Sequence, residues 1–455
     1  MERVAVVSRR HGCRDLFNDE PRLQMNFDTV VIYVMPLVLA FIFYGVMRTG
    51  RERRDSRRHR EAVAAGLIEP PSLHPVFDTA RCIGSSACVS ACPEGAIGIA
   101  NGKAQLIDPS VCIGHGACHA TCPMDAIKLV FGTERRGVDI PQVHPNFETN
   151  VPGIFIAGEL GGMGLIHKAV EQGRQAIATI TQRRTQGNML DVVIVGAGPA
   201  GLGASLAATE RRLRFVTLEQ EDSLGGTVYH YPRNKIAMTS PMQVPMVGRI
   251  KLGEVRKEAL LEFWLGVIRK AGLKVNFRER VNAIDRIDGG FMVKTSTRDY
   301  VARNVLLSIG RRGTPRRLEV PGEDQAKVVY RLIDPAQYRG QHVLIVGGGD
   351  SAIEAAVALS GEPGTIVSLS YRGAAFNRIK SANQARMQQA EKSGRLRVLL
   401  ESQTVEIQAD KVVLKHKDKA FSIRNDAVIV CAGGLLPTQF LRDLGILVET
   451  RHGSA

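Results

Sequence analysis

Six of the eight cysteines in this 455-residue chain fall between Arg81 and Ile127, in two copies of one pattern, C-x5-C-x3-C-P. The first copy is Cys82, Cys88 and Cys92; the second is Cys112, Cys118 and Cys122. Pro93 and Pro123 follow, and Ala96-Ile97 and Ala126-Ile127 close the two copies. Thiols repeated at one spacing point to a small pseudo-symmetric unit built around metal. Structural zinc sites seldom use this spacing.

The redox compartment follows from a second feature. Val30 to Met47 is an eighteen-residue run without a charge, and roughly 17–25 apolar residues cross a bilayer as a helix. Tyr33 and Tyr44 lie toward its ends like interfacial anchors, and Pro36 is expected near the first helical turn, where proline is tolerated. Arginines follow at Arg48, Arg51, Arg53, Arg54, Arg57, Arg58 and Arg60, opposed only by Glu52 and Asp55. No small-residue cleavage site follows the run, which argues against a signal peptide. The twin Arg9-Arg10 lacks a directly following apolar run, which argues against an export signal. The arginines place the N-terminal tail, with Cys13, outside, and everything beyond Arg48 in the cytoplasm. The expected localisation is the cell inner membrane, single-pass. Reduced cytosol suits cysteines that bind metal. The formal net charge of +15 concentrates beside the span, which fits anionic membrane lipid and no nucleic acid.

Two dinucleotide fingerprints come next. Val192 to Val195 reads as a strand running into Gly196-x-Gly198-x-x-Gly201 and a helix, with Glu219 ending the following strand. Glycines there permit a tight turn and close approach to a pyrophosphate, and the acid accepts from a ribose hydroxyl. His342 to Val346 leads into Gly347-x-Gly349-x-x-Ala352 in the same way. Its second strand ends at Ser370-Tyr371-Arg372, with Arg378 and Lys380 beyond and no acid, so the second site reads as NADPH-binding, with NADH less favoured. Upstream of both, Gly153 to Gly158 reads as a short buried strand and Lys168 to Ile180 as a helix.

The cysteine repeat resembles the bacterial two-cluster ferredoxin run, C-x2-C-x2-C-x3-C-P, with Ser85 and His115 standing where the second cysteines would be. In that family the fourth cysteine of each run ligates the other cluster. The resemblance thus implies one cluster on Cys82, Cys88 and Cys122 and another on Cys112, Cys118 and Cys92, with Ser85 and His115 as possible fourth ligands and 4Fe-4S favoured over 3Fe-4S. The remainder, with GGGDSAIEAA, SYRGAAFNRIK and TNVPGIFIAGE, resembles the two-dinucleotide-domain flavoprotein reductases, in the thioredoxin-reductase-like and bacillithiol-disulfide-reductase-like branch. That implies an α/β fold of two Rossmann-like domains plus a small α+β ferredoxin-like domain. It implies FAD at Gly196, Gly198, Gly201, Glu219, Gly226, Thr227, Thr149, Gly158 and Glu159, and NADP at Gly347, Gly349, Ala352, Ser370, Arg372 and Arg378.

The chain departs from this branch twice. The T-x-x-P-G-I-F segment, C-terminal in the family, precedes Gly196 here. A circular permutation accounts for that and places Ala455 near Thr133; otherwise the segment completes the site of a second subunit. The redox-active C-x-x-C of thioredoxin reductases is also missing, and Cys431 in AVIVCAGG reads as a core residue.

The expected domains are a tail (1–28), a transmembrane helix (29–47), a basic, partly extended juxtamembrane linker (48–75) and a two-cluster ferredoxin-type domain (76–131). An FAD-domain closing segment (132–188), an FAD domain (189–321), an NAD(P)H domain (322–425) and a return to the FAD domain (426–455) follow. The expected function is a membrane-anchored flavo-iron–sulfur oxidoreductase passing electrons between NADPH, FAD, two clusters and a partner protein or quinone, with homodimers common among relatives of the fold. The alternatives are a flavin-dependent disulfide or small-molecule reductase, with Thr227 to Pro241 lining its pocket, and a membrane-tethered redox sensor.

Overall fold

The computed structural model describes the chain except residues 1–26, 68, 71–72, 135–136, 163, 184–186, 232, 234, 312–314, 378 and 454–455. Cys13, Arg378 and Ala455 therefore lie outside the described residues. The chain divides into two compact units, 1–54 and 55–455.

The helix Phe27–Ala64 corrects two sequence expectations. Residues 48–64 continue the helix, where a basic, partly extended linker over 48–75 was expected. The i,i+4 pairs Arg48–Glu52, at 3.7 Å, and Arg57–Glu61, at 2.8 Å, show how the charges support that conformation. Pro36 lies well inside the helix, not in its first turn, so Ile32 loses its usual amide donor. An eighteen-residue window here has a mean hydropathy of 2.0 and none of it is buried. An apolar helix of this length is a candidate membrane span.

In the second unit, the cysteine segment forms two matching halves. His74–Phe77 pairs antiparallel with Ile127–Val130, and Ile97–Ala100 with Lys103–Leu106. The short helices Ala87–Ala91 and Ala117–Ala120 each carry the middle cysteine of a copy, Cys88 and Cys118, at buried positions. Gly84 and Gly114 occupy equivalent turns at φ of +68° and +69°. A Cβ at either would strike backbone, 2.2 Å from the Gly102 carbonyl or 2.6 Å from that of Leu73. The cluster-binding loops are thus pressed against the chain beneath them.

The flavin-type sheet is four-stranded and parallel, in the order Ile154–Ile156, Val305–Leu307, Val192–Val195, Phe215–Leu218. Its outermost strand comes from the segment that precedes the fingerprint, and its register to Val305–Leu307 is continuous. The segment therefore completes the sheet within one chain, which is the arrangement a permuted order requires. At the other end, Val448–Arg451 pairs antiparallel with Val138–Pro141. The Gly453 amide reaches the Phe131 carbonyl at 2.9 Å, so the described C-terminus lies beside residues 131–133.

The second sheet is parallel and five-stranded: Val328–Val329, Ala427–Val430, His342–Val346, Ile366–Ser370, Leu396–Leu399. Here the boundary at 426 is corrected, because Ala427–Val430 belongs to this sheet and the return to the flavin side comes only with Thr438–Asp443, where Leu441 and Ile446 enter that core. A run of four buried apolar residues fits the centre of either parallel sheet, so sequence alone does not assign it.

The closing segment is pinned by Glu148. Its carboxylate pairs with Arg183, Nη2 to Oε2 at 2.8 Å, and accepts the Gly153 amide at 2.9 Å. The Arg183 hydrogen bond holds the Glu148 carboxyl below the usual range. A depressed folded-state pKa stabilises above the unfolded pKa and loses that contribution as pH falls through the folded value. Glu148→Gln is expected to cost about 1–2 kcal/mol at neutral pH. The gap to wild type should narrow only on acidification below the ordinary carboxylate value of about 4, as the folded-state carboxylate takes a proton in turn. Thermal unfolding followed by flavin release at several pH values measures both; a gap constant with pH would assign Glu148 a packing role only.

Candidate functional site

The first fingerprint builds a cradle from backbone. Val192–Val195 ends at Gly196, whose amide donates to the Leu218 carbonyl at 2.7 Å, and the helix Pro199–Glu210 starts at once. A Cβ at Gly201 would lie 1.8 Å from the Gly196 carbonyl oxygen, so strand and helix meet as closely as peptide groups allow. Gly198 and Gly226 face each other, a Cβ on Gly226 falling 3.1 Å from the Gly198 Cα. The position beside Gly310 brings Thr227 Oγ1 and Glu159 Oε2 within 3.9 and 4.0 Å, so both residues border one space. Gly158, at φ of +87°, donates to Gln172 Oε1 at 2.8 Å and packs on Ala200 of the fingerprint helix.

Glu219 sits beneath this loop. Its Oε2 accepts the Ala197 amide at 2.7 Å and its Oε1 the Glu221 amide at 3.0 Å. Burial, working against these donors, raises its pKa. The carboxylate orders the glycine loop as well as offering lone pairs to a ribose. Thr149 is placed differently: it is buried, and its hydroxyl exchanges hydrogen bonds with Val151 at 3.1 and 3.2 Å. It shapes the turn before the strand Ile154–Ile156.

At the second fingerprint, Ala352 is fully buried and a Cβ on Gly347 would stand 3.1 Å from its own. Gly349 has nothing within 4 Å of its Cβ position, leaving open space at the helix N-terminus. Ser370 turns inward instead, hydrogen-bonded to the Ser402 hydroxyl at 2.7 Å. Of the described basic residues here, Arg372 is exposed and available to a phosphate. Sequence reasoning missed two neighbours. The Tyr371 ring lies over Gly348 and stacks on Phe376 at 5.1 Å. Asp350 accepts from the Lys380 amide at 2.8 Å and from Asn383 at 2.7 Å, which fixes the loop beyond Arg372. The signal for it was an acid in the first turn directly after the glycines.

The thiols cross between copies. Cys82, Ser85 and Cys88 line one cavity with Cys122, between Phe77 and Ile127. Burial first, then the neighbouring Cys82 thiol, pushes Cys88 up to about 11. Burial likewise pushes Cys112 up to about 11, with the nearby Cys92 thiol contributing in the same direction. Thiols so disposed ionise when a cationic centre binds them. Amides already point at two sulfurs, Ala104 at Cys82 Sγ (3.5 Å) and Ala126 at Cys122 Sγ (3.3 Å). Among the described residues no three metal-binding side chains converge on a single ion. The Nδ1 atom of His115 is buried without a hydrogen-bond partner, an atom fitted to a ligand bond.

Two glycine cradles on two parallel sheets, one with an acid at its second strand, define a two-dinucleotide-domain flavoprotein, joined here to a cysteine-rich iron–sulfur module. The chain belongs to the pyridine nucleotide-disulphide oxidoreductase family, whose profile matches residues 193–454; a 4Fe-4S dicluster domain matches residues 74–123. It is an oxidoreductase of the type that uses FAD and NADP. A ferredoxin–NADP reductase of Ignicoccus hospitalis is 28% identical over 267 residues, 57% of this chain and 82% of that protein. The bacilliredoxin reductase Bdr of Bacillus subtilis is 24% identical with the same coverage. Among solved structures, the bacillithiol disulfide reductase Bdr (YpdA) of Staphylococcus aureus shares 25% identity at a TM-score of 0.50, covering 58% of this chain and 82% of that one.

Proposed function

We propose that this protein is a membrane-anchored, cytoplasm-facing NADPH oxidoreductase that passes electrons from its flavin to two iron–sulfur clusters and on to a redox partner protein or quinone. FAD would supply the conversion of a two-electron hydride into single electrons, and the clusters would carry those electrons one at a time. The observation that carries this reading is the junction between modules. Phe131, directly after the last strand of the cysteine module, packs its ring on Gly162, where a Cβ would fall 2.5 Å away. Gly162 closes the turn begun by Glu159, so the module abuts the loop that borders the flavin cradle.

The chain's own residues do the rest by position. Gly196, Gly198, Gly201 and Gly226 admit the pyrophosphate of FAD, and Gly158, Glu159 and Thr227 border its far side. Gly347 and Gly349 admit the nucleotide of NADPH, and Arg372 favours its 2′-phosphate. Cys82, Cys88 and Cys122 would hold one cluster with Ser85, and Cys92, Cys112 and Cys118 the other with His115. Among the described cysteines only Cys431 lies outside these sets, and it has no neighbouring thiol in sequence, so an internal dithiol mechanism lacks support. The apolar helix fits a single span in the inner membrane, with anionic lipid beside its arginines. A homodimer is consistent with the fold.

Anaerobic titration with NADPH, followed by visible absorption and low-temperature electron paramagnetic resonance, tests the proposal. Flavin bleaching should bring reduced-cluster signals with it. A flavin that bleaches while the clusters stay oxidised would overturn it.

A further inference from the structure

We infer that electrons enter the iron–sulfur module at its second motif, across the contact between His115 and His167, and leave it at the first motif, past Ser85. His167 is the positioning residue of that entry. The inference deepens the proposed function and rests on it.

The entry side is defined by two imidazoles from different modules. The rings of His115 and His167 stand 6.1 Å apart, inclined by 51°. His167 is the second residue of the helix Ile166–Gln182, and the loop before that helix carries Glu159 and Gly162. The same helix is bound to the flavin cradle. Gln172 accepts from the Gly158 amide, and Gly173 lies so close to the Ala200 carbonyl that a Cβ would fall 2.1 Å from its oxygen. His115, for its part, carries a buried Nδ1 without a hydrogen-bond partner and lies midway between Cys112 and Cys118 in sequence. A buried imidazole nitrogen left without a partner is destabilising, and a ligand bond removes that cost. One short path therefore runs from the flavin-side helix through His167 and His115 to the thiols of the second motif.

The exit side has no such wall. The cavity of Cys82, Ser85, Cys88 and Cys122 is lined only by residues of the cysteine module. Its rim is open: Ser85 is exposed, Ile83 is 63% exposed and Met124 is 44% exposed. The two thiol sets adjoin: burial first, then the proximity of Cys92 and of Cys122, raises the Cys118 thiol. The electron balance is that of NADPH losing a hydride. Two electrons pass singly to two one-electron acceptors, NADP+ leaves, and one proton goes to water.

The test uses full-length protein with iron and FAD content verified. In His167→Leu, the rate of cluster reduction relative to flavin bleaching, read in one anaerobic stopped-flow trace with NADPH, should fall about tenfold or more. His167→Phe, which refills the gap with a ring, should recover part of the loss. In wild type, freeze-quenched samples should show the first-reduced signal carrying an imidazole nitrogen coupling in pulsed electron paramagnetic resonance. Ser85→Cys should alter only the later signal. An unchanged rate ratio in His167→Leu, or a first signal without nitrogen coupling, overturns the inference while leaving the proposed function standing. Wild-type clusters that NADPH does not reduce at all overturn both.

Discussion

Replacing Cys122 with alanine should strip the metal held by the first cysteine motif, although Cys122 belongs to the second. Cys122 lines the cavity of Cys82, Ser85 and Cys88, and the Ala126 amide already points at its sulfur from 3.3 Å. Removing this thiolate leaves two cysteines and a serine, too few to retain a cubane. Cys92→Ala should do the reciprocal damage to the set of Cys112 and Cys118. Each variant is expected to lose about half of the bound iron and one of two reduced-cluster signals, since the two proposed sites share no ligand. Iron analysis with electron paramagnetic resonance of dithionite-reduced protein decides the matter. If Cys122→Ala instead spared the signal altered by Ser85→Cys, the crossed ligand sets would be wrong.

Gly201→Ala should abolish FAD retention and destabilise the flavin domain by about 3 kcal/mol or more, at the upper end of overpacking effects. The added methyl would meet the Gly196 carbonyl at 1.8 Å and the Ser308 hydroxyl at 2.7 Å. The first of these is backbone, in the loop that must approach pyrophosphate, so relief requires moving the helix Pro199–Glu210 away from Val192–Val195. Gly266→Ala provides the contrast. It lies inside the helix Lys257–Ala271 with nothing within 4 Å of its Cβ position. The same methyl there should leave FAD bound and stabilise by about 0.5–1 kcal/mol through helix propensity. Thermal unfolding and flavin content of the two variants, side by side, separate a steric requirement at Gly201 from a general response to alanine.

The parts of this molecule that were legible in the sequence are those where backbone sterics dictate residue type. Gly196, Gly201 and Gly347 announce their turns because a Cβ would collide with main chain. Val192–Val195 and His342–Val346 announce themselves as buried strands because both faces of a parallel sheet are covered. Legibility failed where identity depends on which distant surface a segment meets. Ala427–Val430 could have joined either sheet. Ser370 looked like a phosphate contact until Ser402, from another strand, claimed its hydroxyl. The stretch after Arg48 looked like a linker because its arginines mask alternating acids that support a helix. His167 carried no signal at all: a lone histidine on an amphipathic helix means little until His115 is beside it.

The position of Val448–Arg451 against Val138–Pro141 has a consequence for how the chain is made. Hydrogen bonds there join residues about three hundred positions apart, as between Asn150 and Gly445, separated by 295 residues, and Thr450 and Asp139, separated by 311. Synthesis runs from the N-terminus, so the cysteine loops leave the ribosome early, while the last stitches of the flavin domain wait for the whole nicotinamide domain to emerge. Closing so long a loop is thermodynamically mild but slow. The order of manufacture is thus cysteine module first and dinucleotide sheet last, and a ribosome paused anywhere before Thr438 holds a chain whose cysteine loops can fold before the first-fingerprint domain is complete.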